Sequence, residues 1–153
     1  MKRWLLIGIL LCSLLGCEDF NNQNPVPYVP VSYTLKITEE HPHFMIDNGY
    51  QTMTITKPRY NYEYIGYCGL LIWIGMDENY HAADLCCPNC LIKTKPVEVD
   101  GLYAICPTCG EEYDLSYGVA NPTKGLTQYP LKEYQAILNN TVSGYTLRIT
   151  TKL

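Results

Sequence analysis

Long apolar runs are missing from this chain. The least interrupted one, 4–15, is broken by Gly8, Cys12 and Ser13, and it falls short of the about 20 residues that a membrane-spanning helix needs. Basic side chains are in the minority, 11 against 15 acidic for a net charge of -4. That balance argues against nucleic acid or an anionic membrane face as a partner. Histidine is rare, at 3 residues, and no serine–histidine–acid arrangement, phosphate-binding loop or internal repeat is present. No residue set therefore supports catalysis, and the chain is expected not to be an enzyme. Two of the histidines form His41-Pro42-His43, a triplet that could bind metal but is expected to be plain loop surface. Phenylalanine is nearly absent, 2 residues against 14 tyrosines. Tyrosine suits β-sheets in which a ring packs while its hydroxyl reaches water.

What the chain does have is cysteine, 8 residues in all. The segment 86–110 carries Cys86-Cys87-Pro88-Asn89-Cys90 and, after fifteen intervening residues, Cys106-Pro107-Thr108-Cys109-Gly110. Two residues between cysteines let a tight turn aim both thiolates at one ion, with backbone N–H groups facing the sulfurs. Proline sits second in each turn, and Gly110 follows the second where the chain must bend sharply. Two such turns at this separation point to a four-sulfur site on Cys87, Cys90, Cys106 and Cys109, suited to zinc or iron–sulfur.

A basic start at Lys2-Arg3, a short apolar stretch and small residues at its end describe a secretory signal peptide over 1–16. It ends Leu14-Leu15-Gly16-Cys17, which resembles the lipobox of bacterial lipoproteins. The resemblance implies cleavage before Cys17, diacylation of its thiol and acylation of its new amine. The expected location is then the bacterial cell envelope, anchored to a membrane by the N-terminal lipid, on the periplasmic face or the cell surface. Cleavage would leave residues 17–153, with 9 basic against 15 acidic side chains and a net charge of −6. That length suffices for one domain. Residues 17–32, rich in proline and asparagine, are expected to form a tether. Within it, Glu18 and Asp19 resemble the acidic export signals of some bacterial surface lipoproteins.

The domain is expected over 33–153. Alternation predicts strands at 33–38, 50–56 and 145–150, and 68–75 reads as a central strand apolar on both faces. Between the cysteine turns, 91–94 and 97–99 are strand-like, Asp100-Gly101 makes a hairpin turn, and 102–105 returns the chain. A further strand leaves at 112–115, and a short helix is expected near 131–138. Many short strands punctuated by Gly, Pro and Asn predict an all-β fold, an antiparallel sandwich or small barrel.

From about 82 to 134 the order of features resembles the Rieske iron–sulfur domain. That family carries Cys-x-His in one loop and Cys-x-x-His in a second, often Cys-Pro-x-His-Gly followed by an aromatic residue and Asp. The counterparts are Asp84-Leu85-Cys86-Cys87-Pro88-Asn89 and Cys106-Pro107-Thr108-Cys109-Gly110-Glu111-Glu112-Tyr113-Asp114, then Gly118, Pro122 and Pro130-Leu131. Cys87 and Cys106 match the family's cysteine ligands. Asn89 and Cys109 stand where the family has histidine, so Cys90 would have to supply the missing ligand. The resemblance implies a 2Fe–2S cluster, an electron-transfer or redox-sensing role and a redox partner protein. Four thiolates would hold it at a lower potential than two cysteines and two histidines.

Three occupants of the site follow. The first is a 2Fe–2S cluster, and the second a zinc staple in a binding or structural lipoprotein. The third is no metal: the envelope is oxidising, and cysteines 68, 86, 87, 90, 106 and 109 could make three disulfides. A closed four-thiolate site leaves no open position for substrate. Cys68 and Cys86 fall outside the set, as buried thiols or as disulfide partners, with Cys86 as the alternative ligand of the first turn.

Overall fold

The computed structural model describes residues 24–152. The expected signal peptide, the expected lipidation site Cys17 and the expected tether as far as residue 23 lie outside them. Among the described residues the fold is all-β and antiparallel, as the alternation predicts, and divides into two sheets. The larger uses β1 (Val31–Lys36), β2 (Gln51–Ile55), β3 (Tyr64–Ile65), β4 (Leu70–Ile74), β5 (Tyr80–Asp84), β10 (Glu133–Thr141) and β11 (Gly144–Thr151). Its order, β2-β4-β5-β10-β11-β1-β3, curls into a nearly closed barrel. The smaller sheet runs in chain order through β6 (Glu98–Asp100), β7 (Tyr103–Ile105), β8 (Glu112–Asp114) and β9 (Asn121–Lys124). A short α-helix, α1 (Ile37–Glu40), follows β1, and a single 3-10 turn (Ile46–Asn48) follows it.

Period-two patterning decides which side chains enter the barrel. Val31, Tyr33 and Leu35 of β1 are buried while their neighbours face solvent. They meet Leu147 and Ile149 from β11, Ile72 and Ile74 from β4, and Phe44 from the loop after α1. β4 is buried at all five positions. Leu70, Ile72 and Ile74 fill the barrel, whereas Leu71 and Trp73 face the other way and pack with Ala104 and Tyr113 of the smaller sheet and with Val97 and Leu115 at the ends of its strands. The run apolar on both faces is therefore the shared wall between two cores. Trp73 also donates its Nε1–H to the Tyr117 carbonyl at 3.1 Å, pinning the loop after β8.

Three local expectations change. Residues 131–138 hold no helix: Leu131, Glu133, Ala136 and Leu138 favour helix locally, but β10 pairs with β11 at eight positions, from Tyr134↔Thr151 to Thr141↔Gly144. Residues 91–94 make no strand, because the first cysteine turn ends with Leu91 at φ 55, a left-handed conformation that breaks extension. The ordered body also begins before residue 33. Val26 is buried beside Trp73 and Leu131, and Asn24 donates its Nδ2–H to the Pro130 carbonyl at 2.8 Å. The end of the proline-rich stretch thus docks on the body, since Val26 gains more from apolar neighbours than from water.

Candidate metal centre

The two cysteine turns sit at one end of the smaller sheet and share one geometry. In the first, the Leu91 N–H donates to the Cys87 carbonyl at 3.0 Å; in the second, the Gly110 N–H donates to the Cys106 carbonyl at 2.9 Å. Both turns end in a left-handed residue, Leu91 (φ 55) and Gly110 (φ 73). Each folds back over its own first cysteine, so its two thiols point to one side. The hairpin of β6 and β7 carries the chain from the first turn to the second.

Cys87, Cys90, Cys106 and Cys109 come together as the spacing predicts, each sulfur within 4.8 Å of the other three. Cys87 Sγ lies 3.7 Å from Cys109 Sγ, and Cys106 Sγ lies 3.9 Å from Cys90 Sγ. These pairs join the two turns across the site. A disulfide needs a separation of about 2.05 Å, and all six described cysteines are free thiols.

Four crowded thiols cannot all ionise unaided. Burial pushes the Cys87 thiol up to about 11, against donors from Tyr113 and from the Cys90 and Asn89 N–H groups. Burial and its thiol neighbours also push Cys90 up. Cys109 moves the other way, to about 7. Burial acts upward on it but is outweighed by the Glu111 N–H and by hydrogen bonds with Cys90, Cys106 and Asn89. A bound divalent cation removes this conflict, because a coordinating thiol is deprotonated outright. The donor set therefore fits a soft, thiophilic metal.

Three side chains around the sulfurs carry no sequence signature of their role. Tyr113, fully buried at the centre of β8, lies with its hydroxyl 3.3 Å from Cys87 Sγ. Glu111 is 1% exposed, and its Oε1 accepts the N–H groups of Leu126 at 2.6 Å and Thr127 at 3.1 Å. Asn89 donates to the same oxygen at 3.4 Å, linking the first turn to the residue that follows the second. Gly125 is the reason this clamp closes: any Cβ there would run into the Glu111 carboxylate. Glu111 Oε2 is buried and finds no donor among the described residues. Asn89 is thus a bridge between the turns, at a position that stood out only for its missing histidine.

Cys68 and Cys86 do not join the four. They form a second buried cluster with Asp84. The hydrogen bond between the two thiols lowers the pKa of Cys68 and raises that of Cys86, and burial raises Cys86 further. His41 and His43 sit with their rings 6.2 Å apart in the loop after α1, away from any group of metal-ligating side chains among the described residues. Comparison with protein-family models, curated proteins and solved structures finds no match to this chain.

Proposed function

We propose that this chain is a lipid-anchored binding or structural lipoprotein in which four thiolates hold one zinc ion that staples the smaller sheet together. The observation that carries this is the mutual spacing of the sulfurs. Bonds of about 2.3 Å from a tetrahedral zinc to sulfur place neighbouring sulfurs about 3.8 Å apart. The cross-turn pairs stand at 3.7 and 3.9 Å, and no pair exceeds 4.8 Å. A 2Fe–2S cluster divides its four ligands between two irons with bridging sulfides between them, so ligands on different irons stand farther apart. The compact tetrahedron favours a single ion, and with it the zinc alternative over the two-iron cluster.

Cys87 and Cys90 would hold the ion from the first turn, Cys106 and Cys109 from the second. With four protein ligands the ion has no open position, which makes it structural and the protein a non-enzyme. The Leu-Leu-Gly-Cys sequence supports the anchor: two or more acyl chains on Cys17 suffice for stable attachment. The electron-transfer alternative keeps one supporting observation. The two cysteine turns, one on each side of the β6–β7 hairpin, bring their thiols together, as the two ligand loops of the Rieske resemblance would have to.

Metal analysis with an absorption spectrum on anaerobically purified protein decides between them. The expected result is one zinc per chain and no visible band. Iron with acid-labile sulfide and visible charge-transfer bands would overturn the zinc staple in favour of the cluster. Neither metal, with no free thiols, would select the disulfide alternative.

A further inference from the structure

A second pair of sulfurs lies beside the first cysteine turn, in a setting that suits a covalent link better than a metal. Cys68, just before β4, and Cys86, just after β5, bring their sulfurs within 4.8 Å of each other. A metal ion there would need Asp84 as its third ligand, but that carboxylate is fully engaged. Its Oδ1 accepts the N–H groups of Cys68 at 3.0 Å and Cys86 at 2.8 Å. Its Oδ2 accepts the Tyr67 N–H at 2.6 Å and the Tyr134 hydroxyl at 2.7 Å.

The same contacts hold the two cysteines in place. One carboxylate oxygen binds both peptide N–H groups, so the two backbones are fixed relative to each other through a single atom. Gly66 (φ +81) lets the chain wrap this closely, since a Cβ there would collide with Asp84 and the Tyr134 hydroxyl. Apart from each other, the thiols reach only carbonyls at long range, Ile92 at 3.8 Å from Cys68 and Cys87 at 3.7 Å from Cys86. Cys87 does not compete for them, because its sulfur is turned to Cys109 and Tyr113.

We propose that Cys68 and Cys86 are a disulfide site, joining the start of β4 to the root of the first cysteine turn by exchange with a small disulfide such as glutathione disulfide. Cys68 keeps 9% exposure and Cys86 none, so Cys68 attacks first. Its sulfur loses a proton and bonds to one sulfur of the oxidant, whose S–S bond breaks and whose other half leaves as a thiol. Cys86 then gives up its proton and attacks Cys68 Sγ, and the second half of the oxidant leaves as a thiol. Two protein thiols become one disulfide, and two electrons pass to the two glutathione sulfurs. The link is independent of which metal the four-sulfur site holds.

The test equilibrates the purified, metal-loaded protein in glutathione buffers of increasing disulfide content until the thiol count stops changing. Samples are then denatured, alkylated and cleaved at Trp73 and Tyr80 without reduction. The expected result is a loss of two alkylatable thiols, a peptide linkage between positions 68 and 86, and unchanged metal content. Cys68→Ser and Cys86→Ser should each abolish the link and still bind metal. If Cys86→Ser fails to fold, Cys68→Ser carries the same comparison alone. Cys68 and Cys86 both alkylated at the most oxidising buffer would overturn the proposal. So would a linkage running to Cys87, Cys90, Cys106 or Cys109. Metal loss with the 68–86 link intact would count against the zinc staple and leave the disulfide site standing.

Discussion

The two cysteine turns share a hydrogen-bond pattern and a backbone shape, yet they are rooted differently. In the first, Cys86, Cys87 and Pro88 are buried, and the Asp84 carboxylate holds the chain at the turn's base. In the second, only Cys106 is buried, while Pro107, Thr108, Cys109 and Gly110 are exposed. The first turn is part of the wall between the two cores. The second is a cap over the sulfurs, held by Glu111 from behind and by β7 and β8 at its sides. A metal site assembled this way has one firm half and one open half, with solvent access on the Cys109 side.

The largest expected effect tests whether the halves are chemically equal despite this. Cys90→Ala and Cys106→Ala should each reduce bound metal to near zero and lower the melting temperature by on the order of 10 °C or more, because a structural site's binding energy is part of its folding energy. Metal analysis and thermal melts check both. Full metal in Cys90→Ala together with loss in Cys86→Ala would mean that the first turn uses its adjacent pair.

The firm root should matter next. Asp84→Asn replaces two acceptor oxygens with one and sets an amide against the donors Tyr67 and Tyr134. A cost of about 3 kcal/mol is expected for a buried carboxylate with four donors. Denaturant unfolding measures it. A change below about 1 kcal/mol would show that the first turn does not depend on its base.

The left-handed residues allow the comparison to be run in both directions. Gly110→Ala puts a Cβ at φ 73 and should cost about 1 kcal/mol, though nothing stands within 4 Å of that Cβ. Leu91→Gly relieves the same conformation at the matching position of the first turn and should be neutral or stabilise by up to about 1 kcal/mol, as Leu91 is 37% exposed and gives up little packing. Equal losses from both changes would mean that Leu91 is held by contacts and not by the turn.

The smallest effect concerns the bridge between the halves. Asn89→Ala should leave the metal content unchanged and cost about 1 kcal/mol or less through its 3.4 Å contact to Glu111. Loss of metal in this variant would make Asn89 a ligand and break the four-thiolate scheme.

How much of this was legible in advance depends on the range over which each feature is decided. The cysteine pairs were legible because Cys-x2-Cys is a local geometric statement, and its separation matches a hairpin of known length. β4 was legible because burial on both faces leaves an unbroken apolar run. β10 was not: its local preference is helical, and only eight pairings with β11 reverse it. Nothing in the local sequence marks Asp84 and Glu111 as buried anchors. Asp84 takes its donors from residues as far along the chain as Tyr134, and the N–H groups that fix Glu111 come from Leu126 and Thr127. Val26 read as tether because its partners, Trp73 and Leu131, lie far along the chain.

The place at which the smaller sheet joins the larger also sets an order of assembly. The Asp84 N–H donates to the Lys132 carbonyl at 2.7 Å, and Ala83 pairs with Glu133, so the chain leaves the barrel and re-enters it at one point. Everything between is an excursion whose strands each pair with the next in sequence, β6 to β7 to β8 to β9. All four sulfurs and every strand of that sheet have emerged by residue 124. β1 must meanwhile wait for β11, the last strand made. Because nearby contacts form faster than distant ones, the sulfur cluster is expected to assemble early and the barrel to close late. An ion taken up by the four sulfurs would thus be in place to steady a chain whose first strand still has its main partner to find.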